Sequence, residues 1–182
     1  MEEKIQHEYY SNTAVHYDEL HLSEKDEHYF AASYLAGMLD FLDAKTVLDV
    51  GSGTGRIVSM FKKKHPHIHI VGIEPVLELR EIGYQKGLTK NDLIEGNGLA
   101  LPFGPEEFDL VCAFGVLHHV STPALVISEM LRVAKTAIFI SDCNNFGQGS
   151  SGVRVIKQMM DYLRLWPLVN WIKTRGRGCA GS

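Results

Sequence analysis

The chain has 182 residues, of which 45 % are hydrophobic and 22 % charged, and its net charge is −4. That length suits one α/β domain able to bury most of its apolar surface, and the acid excess argues against a nucleic-acid partner, which needs a basic stripe to neutralise phosphates. Three cysteines without a C-x-x-C pair, no apolar run of 18 residues and no signal-like run after Met1 argue against a disulfide framework, a cysteine metal site and stable membrane insertion, so a cytoplasmic setting is expected.

Residues 1–28 are polar and dotted with Tyr9, Tyr10, His16 and Tyr17, with five acids between Asp18 and Glu27. They read as an N-terminal arm or lid of two short helices, or as a surface arm whose tyrosines pack on the domain. From Tyr29 to Leu42 the residues Phe30, Tyr34, Met38 and Phe41 or Leu42 recur every three to four positions, which predicts a helix with that stripe buried. Thr46, Val47, Leu48 and Val50 then form an apolar run without polar alternation, the pattern of a parallel strand covered on both faces, interrupted only by Asp49. Gly51, Gly53 and Gly55 remove every second Cβ, so the chain turns tightly and a ligand lies directly against the backbone. The helix that follows points its free N–H groups and positive dipole end into the same crevice, favouring an anionic group.

In that helix Ile57, Met60 and Phe61 form the sheet-facing stripe, Lys62 to Lys64 suit its carboxyl end and Pro66 stops it. His65, His67 and His69 alternate at the amino end of the second strand, with no carboxylate or cysteine nearby in sequence, so a solvated strand entrance is expected and no metal. The strand ends at Glu74, about 20 residues past the glycine turn, where a ribose diol would lie. Pro75 opens the next helix, Leu79, Ile82 and Gly83 face the sheet, and Gly87 ends it. A third strand over Asp92 to Glu95 delivers Gly96-Asn97-Gly98 to the crevice edge, followed by an apolar wall of Leu99, Leu101 and Phe103. Phe108 to Phe114 is the fourth strand, and Gly115 to Val120 leave its carboxyl end, where ligands bind in parallel sheets. His118 and His119 are therefore general-base candidates, imidazole being the side chain that titrates unperturbed near neutrality. Adjacent side chains leave the backbone in different directions, so only one of the two should face a bound ligand.

Ser121 or Thr122 caps a helix with Pro123 in its first turn, and Leu125, Ile127, Met130 and Leu131 are expected against the sheet. A tight Lys135-Thr136 turn leads to a fifth strand, Ala137 to Ile140, which exits through polar residues Ser141 to Asn145. Ser151 to Ile172 is again helical, either a lid or plain packing; a membrane-surface helix is disfavoured because its polar face is not strongly cationic. The organisation is thus 1–28 arm, 29–150 ligand-binding domain and 151–182 amphipathic helix and tail.

Leu-Asp-Val-Gly-Ser-Gly-Thr-Gly at 48–55, the strand end at Glu74, Leu101-Pro102-Phe103, Phe108-Asp109-Leu110-Val111 and Val116-Leu117-His118-His119-Val120 together resemble a class I S-adenosylmethionine-dependent methyltransferase. The resemblance is to the small-molecule, type 11-like branch, which includes quinone-ring methyltransferases. It implies a doubly wound, mostly parallel Rossmann-like sheet of order 3-2-1-4-5, S-adenosyl-L-methionine as cofactor and a small-molecule methyl acceptor. It further implies cofactor contacts at Asp49, Gly51, Ser52, Gly53, Gly55, Glu74, Pro75, Asn97, Gly98, Leu99 and Phe114, with Tyr17 from a mobile arm. Asn97 stands where that family commonly has an aspartate reading the adenine amino group, so the contact here lacks charge assistance. The asparagine-proline-proline-aromatic signature of amino-group methyltransferases is absent after the fourth strand, which favours oxygen or carbon acceptors. A nicotinamide-dependent oxidoreductase is disfavoured because Arg56 stands where the third glycine of G-x-G-x-x-G belongs. A regulatory protein that binds the cofactor without turnover would keep the same glycine turn. The family's last two strands, a hairpin beside strand five, have no counterpart after Ser150. An uncovered strand-five edge, open to homodimerisation, is therefore expected, with cofactor binding better preserved than turnover.

Overall fold

In a computed structural model, residues 27–142, 151–163 and 165 are described, and they fall into two units divided after Asp142. The first unit runs α1 (Glu27–Leu39), β1 (Thr46–Val50), α2 (Arg56–Lys64), β2 (His69–Glu74), α3 (Leu77–Gln85), β3 (Leu93–Glu95), β4 (Phe108–Phe114), a 3-10 turn (Leu117–His119), α4 (Pro123–Val133) and β5 (Ala134–Ser141). The second holds α5 (Ser151–Tyr162), with Val155, Ile156 and Met159 at helical spacing. Of the expected arm, residues 1–26 lie outside the described residues, as does the tail from Trp166 onward, while Glu27 and His28 begin α1.

The five strands form one parallel sheet of order β3-β2-β1-β4-β5, as expected. Side chains alternate across it. Val47, Ile70, Leu110 and Cys112 point into one layer with Ala32, Leu35, Ala36 and Leu39 of α1 and Ile57, Met60 and Phe61 of α2. Leu48, Val50, Val71, Ile73, Val111 and Ala113 point into the other, with Val126, Met130 and Val133 of α4. Covering both faces explains why the strands read as mostly apolar runs without polar alternation, and each fully buried side chain of this size stabilises by about 1.5–3 kcal/mol.

Two helices present a different face from the expected one. On α1 the buried stripe is Ala32, Leu35, Ala36 and Leu39, while Phe30 and Tyr34, and Phe41 in the turn that follows, are exposed, Phe41 by 86 %. The helix is apolar all round, so periodicity leaves its face undecided, and small alanines let the backbone approach the sheet where aromatic rings would hold it off. On α4 the buried residues are Val126, Met130 and Val133, and Leu125 and Leu131 are exposed; positions i, i+4 and i+7 again form a second apolar stripe. Thr122 occupies the N-cap of α4 but makes no side-chain cap bond, and Pro123 takes the first turn.

Lys135 and Thr136 belong to β5 rather than to a turn. Phe108 pairs with Ala134 and Leu110 with Ala137, so β5 holds one extra residue there and the chain passes from α4 into the strand through a bulge. Pro75 precedes α3 and its N-cap Val76, two residues before the helix proper. Gly87 does end that helix: at φ 99° it lets the Leu88 amide reach the Gly83 carbonyl (3.1 Å) and its own amide reach Tyr84 (3.0 Å), a Schellman closure.

Candidate functional site

The crevice is assembled where β1, β2 and β4 end. Gly51 leaves β1 at φ 73°, and its amide and that of Ser52 donate to the Ile73 carbonyl at 2.9 and 3.1 Å, which ties the turn to the end of β2. A Cβ on Gly51 would lie 2.5 Å from Val116 Cγ2, and one on Gly55 would lie 2.2 Å from Leu88 Cδ1. The turn is thus wedged between the β4 exit and the loop after α3, with no room for a side chain at Gly51 or Gly55. Arg56, in place of a third glycine, lies 4.8 Å from the Tyr29 ring centroid and pins α1 to the start of α2 through a cation–π contact.

Glu74 closes the other side. Its carboxylate, in a residue only 5 % exposed, accepts from the Gly53 amide (Oε2, 3.0 Å) and the Val76 amide (Oε1, 2.9 Å). Buried Arg80 secures the segment from behind, donating through Nη1 to the Glu74 and Pro75 carbonyls (2.6 and 3.0 Å) and through Nη2 to Glu95 (3.0 Å). Arg80 carried no signal in the sequence, because a lone arginine on an amphipathic helix reads as solvated.

Asp49 lies beneath the turn, 2 % exposed. Ser52 Oγ donates to Asp49 Oδ2 and to its backbone carbonyl, both at 2.8 Å, and the Cys112 thiol lies 3.8 Å from Oδ1. Burial pushes the Asp49 carboxyl up to about 7, the Ser52 and Cys112 hydrogen bonds lower it and Glu74 raises it further. The same desolvation, with Asp49 beside it, drives the Cys112 thiol up. Asp49 therefore acts from below as a support of the turn.

On the far wall Asn97 is exposed, and its Oδ1 accepts from the Leu99 amide at 3.0 Å, which shapes the Asn97–Ala100 turn. Leu99 and Phe103 pack, half-buried, against the layer that holds Val126 and Met130. The wall is bolted by Glu129 and Arg132: Glu129 Oε2 accepts from the Leu101 amide (2.9 Å), and Arg132 donates to Glu129 and to the Leu101 and Phe103 carbonyls (3.1 and 2.8 Å). The Arg132 hydrogen bond holds the Glu129 carboxyl down to about 2.

Phe114, at the end of β4, packs on Phe139 with ring centroids 5.7 Å apart. Beyond it the 3-10 turn brings His118 and His119 together, their ring centroids 3.7 Å apart, instead of sending them in different directions. Asp142, just after β5, accepts from the Leu117 amide and holds His118 Nδ1 at 2.5 Å. The two side chains are 25 % and 14 % exposed. With a carboxylate on Nδ1, the proton sits there and Nε2 is left as the basic nitrogen. Asp142 appeared in the sequence only as part of a polar exit loop, since 24 residues separate it from His118. His28 of α1 joins this end of the crevice, sharing a 3.1 Å hydrogen bond between Nδ1 and Ser141 Oγ. Tyr17 and Asn144 to Asn145 lie outside the described residues, and His65, His67 and His69 stand at the opposite, amino-terminal end of the sheet.

A tight glycine turn, a buried carboxylate at the next strand end and an apolar far wall fit a nucleoside carrying a small charged arm. A family model described as a methyltransferase domain matches residues 48–139. A demethylmenaquinone methyltransferase of Thermotoga maritima is 34 % identical over 95 residues, covering 52 % of this chain and 41 % of its own length. One from Deinococcus radiodurans is 39 % identical over 93 residues, covering 49 % and 38 %. The chain thus spans about two fifths of the length of these relatives. Among solved structures, a Methanococcus maripaludis protein assigned as an S-adenosyl-L-methionine-dependent methyltransferase superposes with a TM-score of 0.59 at 19 % identity, covering 88 % of this chain and 75 % of that one. The sugar N-methyltransferase KedS8 of a Streptoalloteichus species gives 0.58 at 20 % identity, covering 70 % and 53 %. At such identities the two structures show the fold alone.

Proposed function

The chain belongs to the methyltransferase-domain family, and on that premise we propose that it binds S-adenosyl-L-methionine in this crevice and passes the methyl group to a small molecule through oxygen or carbon. The observation that supports this most is the Glu74 carboxylate, desolvated at the end of β2 and aimed at the glycine turn by the Gly53 and Val76 amides. A carboxylate so held has further lone pairs for the two hydroxyls of a ribose. Gly51, Ser52, Gly53 and Gly55 form the turn that cradles the cofactor's charged arm, with Asp49 supporting it from below, while Pro75, Asn97, Gly98, Leu99 and Phe114 line the base and the route to the acceptor.

The bound cofactor supplies a methyl group already activated by its sulfonium, so the chain's work is chiefly placement. Where the acceptor carries a hydroxyl or an acidic C–H, His118 takes its proton at Nε2 while Asp142 stabilises the imidazolium through Nδ1. The relatives named for demethylmenaquinone support a quinone-like acceptor. The free, buried Cys112 thiol supports a reducing, cytoplasmic setting, and among the described residues no helix is long and apolar enough to cross a membrane. Homodimerisation through β5 belongs to the same proposal: among the described residues β5 pairs only with β4, and its other side is where a second copy would add a strand.

The test is acceptor-dependent release of demethylated cofactor across phenols, quinols and small alcohols, run beside light scattering over a concentration series. Turnover that follows the acceptor supports the proposal; cofactor binding without turnover on any acceptor leaves the regulatory reading in its place. A strictly monomeric chain removes the dimer.

A further inference from the structure

At the amino-terminal end of the sheet, Asp40, His65 and His67 offer one ligand atom each, all within 4.8 Å of one another. They come from two segments 25 residues apart in sequence, which is why the histidines look unpartnered there. The six-residue β2 separates them from Glu74 by on the order of 15 Å, so the group is distinct from the crevice. His69, which the alternating pattern grouped with the other two histidines, is not part of it.

Both segments hold their ligands on ordered backbone. The turn after α1 is a Schellman closure, with the Ala44 amide on the Leu39 carbonyl (3.1 Å), the Asp43 amide on that of Asp40 (3.2 Å) and Asp43 at φ 49°. His65 caps α2, its amide on the Phe61 carbonyl at 2.7 Å, and its own carbonyl accepts from Ile68 at 3.0 Å, enclosing Pro66 and His67 in one turn. His67 Nε2 lies 3.6 Å from Asp40 Oδ1. Ligands at about 2.0–2.2 Å around a tetrahedral ion stand about 3.3 Å apart, so this pair is already spaced for a common ion. His65 closes the remaining ångström or so by side-chain rotation. The competing cation, Lys45, is engaged first by Asp43, at 2.6 Å.

We propose that Asp40, His65 and His67 bind a divalent first-row transition ion of the zinc kind, water completing its shell, and so clamp the end of α1 to the α2–β2 turn. Two imidazoles with one carboxylate suit such an ion and are poor ligands for magnesium or calcium, which take oxygen. Asp40 and His67 are exposed (side chains 73 % and 54 %), which gives the ion a path from solvent.

Titration of the untagged full chain with zinc chloride, by calorimetry and by thermal melting, tests this with His67→Gln, His65→Gln, Asp40→Asn and, as the control for the crevice, His118→Gln. The expected result is one equivalent bound and a zinc-dependent rise in melting temperature. His67→Gln and His65→Gln should weaken affinity by about tenfold or more, Asp40→Asn should weaken it measurably, and His118→Gln should leave it unchanged. Wild-type affinity in His67→Gln and His65→Gln, or loss of binding in His118→Gln, overturns the assignment. The melting of each variant without zinc shows whether it folds.

Discussion

The Gly53 amide donates to Glu74 Oε2 at 3.0 Å, joining the middle of the glycine turn to the last residue of β2 across 21 positions of sequence. This bond makes the turn and the Glu74 carboxylate one unit. Glu74→Gln should keep one acceptor and the fold but lose charge; Glu74→Ala should lose both acceptors. Each hydrogen bond to a charged group contributes about 1.5–3 kcal/mol, so Glu74→Ala should bind S-adenosylmethionine at least about tenfold more weakly, with Glu74→Gln between. Calorimetry reads both, and parental affinity in Glu74→Ala would remove Glu74 from ribose recognition.

Asp49 gives the unliganded chain a specific pH dependence. Its carboxyl is raised by burial from 3.8 to about 7 in the folded state, so between those values the folded chain binds more protons than the unfolded one. Stability therefore falls as pH rises from about 4 to about 7, by up to about 4 kcal/mol for this group. Asp49→Asn, which still accepts from Ser52, should lack that slope and be the more stable protein at pH 8. Denaturant melts at pH 5 and 8 decide it; parallel profiles for the two proteins would mean that Asp49 ionises without cost.

The strands and the glycine turn were legible because burial on both faces writes a parallel strand as an apolar run with at most one polar residue, as at Thr46–Val50 with Asp49 and Phe108–Phe114 with Asp109. Helix faces were less so. On α1 and α4 two apolar stripes coexist, and the choice of Leu35 over Phe30, or of Val126 over Leu125, is made by how closely the helix backbone must approach the sheet. Partners brought together by topology were not legible at all: Asp142 meets His118, and Asp40 meets His67, only because a crossover returns the chain to the same sheet edge.

The Glu129–Arg132 pair should hold the Leu101–Phe103 wall in place. Arg132→Ala strips the Leu101 and Phe103 carbonyls of these donors and should destabilise the chain measurably. Because Arg132 holds the Glu129 carboxyl at about 2, its contribution is present above the ordinary 4.5 and lost as pH falls from there towards 2. The difference between parent and Arg132→Ala melts should therefore shrink as pH falls towards 2, leaving the part due to the Leu101 and Phe103 carbonyls, which do not titrate; a difference that does not shrink would take the Glu129 charge out of the effect.

With an acceptor in hand, His118→Ala should lower kcat by about 10²–10⁴-fold and Asp142→Asn by less, with an altered pH profile. His119→Ala, though stacked on His118, should cost least. Full activity in both histidine variants would take imidazole out of the mechanism.

Gly51→Ala places a Cβ 2.5 Å from Val116 Cγ2 at φ 73°, which should cost about 1–3 kcal/mol. Val116→Ala should recover only the part due to the clash. A Gly51→Ala protein as stable as the parent would show that the turn has room to spare.

The central claim, that this crevice holds S-adenosylmethionine, is met most directly by calorimetric titration of the purified chain with S-adenosylmethionine, its demethylated product and NAD. One equivalent each of the first two, weakened in Glu74→Ala, with no heat from NAD, is the result this account requires. Binding of NAD in preference, or no binding of either sulfur nucleoside by a folded chain, would contradict it.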